Sequence, residues 1–253
     1  MHQSSLAKAR LFVSLYAGGA PASADGRRRV LEVGSMSYSG QDTFRPLFPP
    51  DAYDYVGLDV AAGPHVDVVP ASPFVWAEIA DDAFDVCVSG QTFEHNPYFW
   101  VTFGEMARVL KPGGLAFVVA PGAGPVHRFP LDCWRFYPDG WAGLCLMAGM
   151  DMLESYFESD AAAAVAEGGG WRDSCLVARK PAGDCTAMND RLRVLAEPYR
   201  DAPFPSEPPR GGPLADAYEA EAARAPASFG RRLKRAWRIL RRGERLLSRA
   251  GGA

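Results

Sequence analysis

Hydrophobic positions between residues 28 and 180 fall into short apolar runs that alternate with longer amphipathic segments. Short runs rich in β-branched residues predict strands, and apolar residues three or four positions apart predict helices. Because the two kinds of segment alternate, the pattern predicts an α/β fold with a mainly parallel sheet. The predicted strands lie at 29–34, 54–59, 66–69, 84–89, 114–120, 152–157 and 174–179.

Local signals support a set of helices between these strands. Pro97 and Pro138 stand where helices begin, and Pro112 stands where one ends. The Ala- and Gly-rich segment 161–170 separates the last two strands, so we expect an antiparallel hairpin at a sheet edge. The predicted helices lie at 5–17, 41–47, 73–79, 98–110 and 138–148.

The composition of the chain changes after residue 183. Six prolines between residues 197 and 213 are too many for a packed element and predict a linker. Beyond it, apolar residues from Phe229 to Leu247 recur on one helical face with arginines around them. We therefore predict a folded domain at 1–183, a mobile Pro-rich linker at 184–227 and a basic amphipathic helix at 228–253.

Charge is distributed unevenly along the chain. The net charge is −3, but residues 228–249 hold nine basic residues and one Glu, which leaves the rest at −11. Such a tail could lie on an anionic membrane, bind nucleic acid, fold back on the acidic body or extend into solvent. No 18-residue apolar run or signal peptide occurs, so we expect a cytoplasmic protein, with peripheral contact at the inner face of the membrane as one alternative.

The most informative segment is 28–40, in which an apolar run ends at Glu32 and turns at Gly34. A glycine at this point lets the backbone approach a ligand, as in nucleotide-binding loops. A second apolar run ends at Asp59, about 25 residues downstream, close to the spacing of a ribose-binding carboxylate. The two segments together predict a site for an adenosine-containing cofactor.

These two segments and two further ones resemble the class I S-adenosylmethionine-dependent methyltransferases over residues 28–180. The four blocks are Val30–Ser35, Tyr55–Asp59, Phe84–His95 and Glu105–Leu115. The resemblance implies a Rossmann-like, seven-stranded, mainly parallel sheet with helices on both faces and an antiparallel last strand. It also implies that the chain is an enzyme and that its cofactor is S-adenosyl-L-methionine.

The resemblance also implies the cofactor site. Glu32 would anchor the methionine end, and Asp59 would accept both ribose hydroxyl hydrogens, which suits a carboxylate. Met36 stands where the family's loop usually has a glycine, and a donor without phosphate tolerates that side chain better than NAD would. The implied cofactor-binding residues are Glu32, Gly34, Ser35, Asp59, Val60, Ser89 and Gln91.

Two histidines are candidates for a general base, since methylation of a hydroxyl requires loss of its proton. His95 follows the fourth predicted strand, and His127 follows the fifth in a loop rich in aromatic and charged residues. The structural alternatives are that His95 caps its loop and that the loop of His127 packs over the cofactor. The predicted substrate-binding residues of that loop are Arg128, Asp132, Trp134, Arg135 and Tyr137.

We predict no metal ion. Residues 91–95 resemble the Glu-x-x-Glu-His segment that binds a divalent ion in some quinone-pathway methyltransferases, but Gln91 replaces the first carboxylate. The five cysteines are odd in number and contain no CxxC pair, which argues against a zinc site or a disulfide framework.

The sequence thus favours a methyltransferase that acts on an oxygen of a sugar, a glycan or a small molecule. The loop from His127 to Asp139 is similar to that of methyltransferases encoded with glycan-assembly enzymes. One alternative is an RNA methyltransferase that uses the basic tail, although an acidic body repels phosphates. Another is a non-catalytic module that binds S-adenosylmethionine or scaffolds partners.

Overall fold

The computed structural model describes residues 3–20, 26–37, 43–165, 169–205 and 212–224. The chain divides into two compact units, Met1–Pro205 and Ser206–Ala253. In the second unit the described residues form one helix, α6 (Pro213–Arg224). The basic helix predicted from residue 228 lies outside the described residues. The helices of the first unit are α1 (Gln3–Leu15), α2 (Phe99–Val109), α3 (Pro138–Ala148), α4 (Asp160–Ala163) and α5 (Thr186–Ala196).

The described residues of the first unit form a six-stranded sheet in the order β2-β1-β3-β4-β6-β5. The four strands from β2 to β4 are parallel, and β6 is antiparallel to both of its neighbours. The predicted α/β fold and the antiparallel hairpin at the edge are therefore confirmed. The strands are β1 (Arg28–Val33), β2 (Tyr53–Leu58), β3 (Phe84–Gly90), β4 (Leu110–Pro121), β5 (Asp151–Phe157) and β6 (Asp173–Arg179).

The predicted strand at 66–69 is reduced to a single bridge, so a seventh strand is not confirmed within the described residues. Val68 pairs with Leu58 at the outer edge of β2, and no further ladder follows. Pro64 and Pro70 bracket the segment. Because proline has no N–H to donate to a ladder, the pairing cannot extend in either direction.

Alternating residues of the central strands face two hydrophobic cores. Val30 and Val86 pack with α1 on one face of the sheet. Leu31 and Cys87 pack with α2, α3 and α5 on the other. This two-residue period is what a sheet with helices on both faces requires. It confirms the prediction of helices on both faces, including α1 before the first strand.

Two predicted helices differ from the structure. Residues 73–79 form no helix, because the Ser72 hydroxyl accepts the N–H groups of Phe74 and Val75 and Glu105 accepts that of Trp76. Side chains thus satisfy the donors that a helix would have used. Of the helix predicted at 41–47, the described part is a 3-10 turn at Arg45–Leu47, and residues 41 and 42 lie outside the described residues.

The folded unit continues beyond residue 183, where the linker was predicted to begin. Helix α5 packs its buried Leu192 and Ala196 on the sheet unit. The ammonium group of Lys180 is fully buried and donates to the Asn189 side chain of α5 and to the carbonyls of Arg108 and Leu110. The sequence pattern did not predict α5, because this helix is short and directly precedes the proline cluster.

No helix among the described residues is both long and apolar enough to cross a membrane.

Candidate active site

A pocket opens at the carboxyl ends of β1, β2 and β3, where parallel α/β sheets bind their ligands. It encloses about 1350 Å³, including the solvent in its mouth. Predicted cofactor residues and both candidate histidines share this pocket. The predicted residues that line it are Glu32, Gly34, Ser35, Asp59, Val60, Gln91, His95 and His127.

Glu32 is a buried carboxyl group with unused hydrogen-bonding capacity. Its Oε1 accepts the Phe44 N–H at 3.1 Å; its buried Oε2 has no partner at normal hydrogen-bond geometry, although the Tyr55 hydroxyl is near enough to act to lower the pKa of the carboxyl group. Burial raises the pKa of Glu32 to about 7. A cationic group of a ligand would give the unpartnered oxygen its partner and favour the charged carboxylate.

Gly34 allows β1 to turn sharply into this pocket. Its φ is +80°, and a Cβ atom there would stand 2.1 Å from the Thr92 hydroxyl oxygen. Its N–H donates to the Leu58 carbonyl at 2.9 Å, which ties the turn to the end of β2. A side chain at this position would therefore both strain the backbone and collide with the loop after β3.

Asp59 follows β2 and is fixed by backbone amides. Its two carboxylate oxygens accept the N–H groups of Met36 at 3.0 Å and Val60 at 2.8 Å. Burial raises its pKa, and these hydrogen bonds act in the opposite direction. The Ala61 backbone also bonds to this carboxylate, and of its roughly four acceptor positions at least one is left for a ribose hydroxyl.

Two predicted cofactor residues have other partners in the structure. Ser89 is fully buried in β3, donates to the Val33 carbonyl at 2.9 Å and does not line the pocket. Gln91 lines the pocket, but its amide donates to Ser5 and Asp173. Sequence reasoning could not foresee these contacts, because α1 and β6 lie far from these residues along the chain.

His127 lies on the pocket wall beside Asp132. Its ring Nδ1 is 3.4 Å from Asp132 Oδ2 without forming a hydrogen bond, and the same carboxylate oxygen accepts the backbone N–H of His127 at 2.7 Å. Arg135 binds both carboxylate oxygens of Asp132. Although burial acts to raise it, these contacts hold the pKa of Asp132 below its usual value. An ionised Asp132 beside the ring would stabilise a positive charge on His127.

The residues predicted to bind substrate do not line the pocket. Asp132 and Arg135 support His127 instead, while Trp134 donates to the Asn96 carbonyl and contacts the ring of Phe99. Tyr137 is 60% exposed. Arg128 is half-buried outside the pocket lining. The position of this loop was predicted, but which of its side chains face inward depends on its folded path.

His95 forms a second carboxyl–histidine pair with Glu94. Its Nδ1 is 2.5 Å from the Leu131 carbonyl, so that nitrogen carries the proton, and its Nε2 is 3.6 Å from Glu94 Oε1. Burial lowers the pKa of His95. Glu94 is fully buried, both of its oxygens lack hydrogen-bond partners, and burial raises its pKa to about 8. Sequence reasoning gave Glu94 no role of its own in the site.

The two histidines and Glu94 are close neighbours. The rings of His95 and His127 are 4.8 Å apart, and one ligand atom from each of the three residues lies within 4.8 Å of the others. Imidazole and carboxylate are ligands that several divalent metals accept. The absence of a metal therefore stays a prediction.

Comparison with known proteins agrees with this geometry. Residues 44–118 match the family described as methyltransferase domain. The chain is 39% identical over 99 residues to an uncharacterized methyltransferase of Mycobacterium leprae (strain Br4923) and 36% identical over 113 residues to one of Mycobacterium avium (strain 104). These matches cover 35% and 40% of this chain and 35% and 42% of the relatives, so the chain spans about a third to two fifths of their length.

A solved structure shares the fold. The Burkholderia thailandensis 1,6-didemethyltoxoflavin-N1-methyltransferase, with its substrate and S-adenosylhomocysteine bound, superposes with a TM-score of 0.52 at 14% identity. The superposition covers 71% of this chain and 79% of that one.

The family match over residues 44–118 and the shared fold agree with the predicted resemblance of the folded unit to the class I S-adenosylmethionine-dependent methyltransferases. The cofactor of that family fits the residues present. Its ammonium group suits the unpartnered Oε2 of Glu32, and its ribose suits Asp59.

Proposed function

We propose that this protein transfers the methyl group of S-adenosylmethionine to a hydroxyl oxygen of a sugar, a glycan or another small molecule, with His127 as the general base. The pairing of His127 with the ionised Asp132 carries the proposal. A hydroxyl is a weak nucleophile until its proton is removed, so a histidine with a carboxylate partner suits this acceptor.

In this mechanism the cofactor supplies the electrophilic methyl group, and the protein aligns and deprotonates the acceptor. Nε2 of His127 takes the hydroxyl proton as the oxygen attacks. The positive charge that forms on the ring is stabilised by Asp132, which Arg135 holds in place. Phe129 and Pro130 line the pocket beside His127 and would help to exclude water.

A transfer assay tests this proposal. Protein and S-adenosylmethionine with a labelled methyl group are incubated with glycans, small alcohols and phenols, amines, and RNA in separate reactions. Label recovered as a methyl ether supports the proposal. Label in RNA or on nitrogen, or binding of cofactor without transfer to any fraction, would contradict it.

Asp59 provides a test of the cofactor half of the proposal. Replacement of Asp59 with Ala should raise the Kd for S-adenosylhomocysteine about 10- to 100-fold, because hydrogen bonds from the ribose to a charged acceptor are lost. Calorimetric titration measures the change. Asp51→Ala is the matched control, since Asp51 is an exposed carboxylate away from the pocket, and it should bind as wild type does.

A further inference from the structure

The chain that follows α5 forms part of the cofactor pocket. Phe204 lines it, although this residue lies beyond the last strand and outside the matched residues 44–118. Its ring centroid is 5.3 Å from that of Phe74, which lines the same pocket. Phe204 is 37% exposed, so one part of the ring is free to contact a ligand.

The segment that carries Phe204 is held against the folded unit. The Ser72 hydroxyl donates to the Arg200 carbonyl at 2.7 Å, and the ring of Tyr199 is 5.1 Å from that of Tyr98. Ala196 is buried in a small hydrophobic cluster together with Phe74. These contacts fix the approach of residues 197–204 to the pocket.

The orientation of the bound cofactor follows from the strand order. Asp59 follows β2, whereas His127 follows β4, three strand spacings or about 14 Å across the sheet. With the ribose at Asp59 and the methyl group near His127, the adenine must lie on the side of β2 away from the histidines. Val60, which directly follows Asp59 and has an exposed apolar side chain, and the ring of Phe74 both line the pocket.

We propose that Phe204 forms the outer wall of the adenine subsite, so that the chain after α5 is a cofactor-binding element. This inference depends on the proposed function, because it takes S-adenosylmethionine as the ligand. A flat base gains dispersion and stacking energy against an aromatic face, and the partly exposed ring of Phe204 offers such a face. The segment would thereby contribute to affinity while making no contact with the reacting atoms.

Binding measurements on the full chain test this inference. Phe204→Ala should raise the Kd for S-adenosylhomocysteine about tenfold. It should raise the Kd for 5′-methylthioadenosine by the same factor, since that ligand keeps the base and ribose but lacks the amino acid. Phe204→Tyr, which keeps the aromatic face, should bind as wild type does. Val194→Ala is the control, because Val194 is 74% exposed on α5.

The outcomes separate this inference from the proposed function. If Phe204→Ala binds S-adenosylhomocysteine with wild-type affinity, the inference is overturned and the proposed function is unaffected. The same holds if this variant changes only the KM for the acceptor. Failure of the wild-type protein to bind S-adenosylhomocysteine would overturn the function. Phe204→Leu, which keeps apolar bulk without a flat face, provides a second variant if the alanine variant unfolds, and the Tm without ligand shows whether each variant is folded.

Discussion

Both histidines of the pocket lie beside a carboxyl group, and the two pairs differ in their electrostatics. Asp132 beside His127 is held by Arg135, and its pKa lies below the usual value. Glu94 beside His95 is fully buried without a hydrogen-bond partner, and its pKa is raised to about 8. At neutral pH the first pair therefore contains a carboxylate and the second a neutral carboxylic acid.

This difference determines which histidine is suited to accept a proton. A protonated His127 would have a negative partner, whereas a protonated His95 would have a neutral one. Burial already lowers the pKa of His95. Two residues of the same type at the same edge of the sheet thus have different chemical capacities, and the surrounding charges set that difference.

The sharpest test of the comparison replaces each histidine with asparagine in turn. His127→Asn should lower kcat by about 10²- to 10⁴-fold, the usual contribution of a general base. His95→Asn should have a much smaller effect, because His95 lacks a charged partner. Steady-state methyl transfer measures both, and the Kd for S-adenosylhomocysteine should change little in either variant.

His65→Asn is the matched control for both exchanges. His65 is exposed and does not line the pocket, and its φ of 70° suits asparagine. A loss of kcat in His95→Asn that equals or exceeds the loss in His127→Asn would reverse the assignment of the base.

The second prediction concerns Asp132, the carboxylate beside His127, which is replaced by an uncharged side chain of the same shape. Asp132→Asn should lower kcat by about 100-fold or more, because an amide does not stabilise the charged form of His127. The pH–rate profile should change along with kcat. A purely structural role for Asp132 would instead lower the Tm and leave kcat of the folded fraction intact.

The third prediction concerns the buried acid and its effect on stability. Glu94 is protonated in the folded protein up to about pH 8 but ionised in the unfolded chain above about pH 4.5. The unfolded state therefore binds fewer protons in this window, and the free energy of unfolding should fall as pH rises through it, by up to about 1.4 kcal/mol per pH unit from this group.

Glu94→Gln should flatten that dependence and leave activity at neutral pH little changed, because the amide resembles the protonated acid. Urea unfolding at pH 5, 6, 7 and 8 measures the slope. Asp51→Asn, at an exposed carboxylate, should retain the slope of the wild type. An unchanged slope in Glu94→Gln would mean that Glu94 is ionised in the folded protein.

Much of the fold was predictable because short-range patterns encode it. Six of the seven predicted strands formed, as did α1, α2 and α3. The errors occurred where long-range contacts decided the outcome. Ser72 and Glu105 capture the amides of 74–76, and the helix predicted there does not form. The buried Lys180 connects Asn189 of helix α5 to the distant carbonyls of Arg108 and Leu110.

In the candidate site, too, some features were predictable from the sequence and others were not. Glu32, Gly34 and Asp59 were predicted from motifs, and all three line the pocket, because the turn after a parallel strand fixes where its next residues lie. Ser89 belongs to the same kind of motif, but its side chain bonds across the sheet to Val33. A motif thus places a backbone position at the sheet edge without fixing what its side chain contacts.

The amino-acid sequence by itself predicted the fold class, the end of the sheet at which the pocket opens, and the two histidines that line it. These properties follow from residue periodicity and from strand-to-loop turns, which depend on near neighbours along the chain. Only the tertiary structure showed that Asp132 lies beside His127, that Glu94 is buried, and that Phe204 lines the pocket. Burial and charge pairing depend on residues that are distant in sequence, and they exist only after the chain has folded.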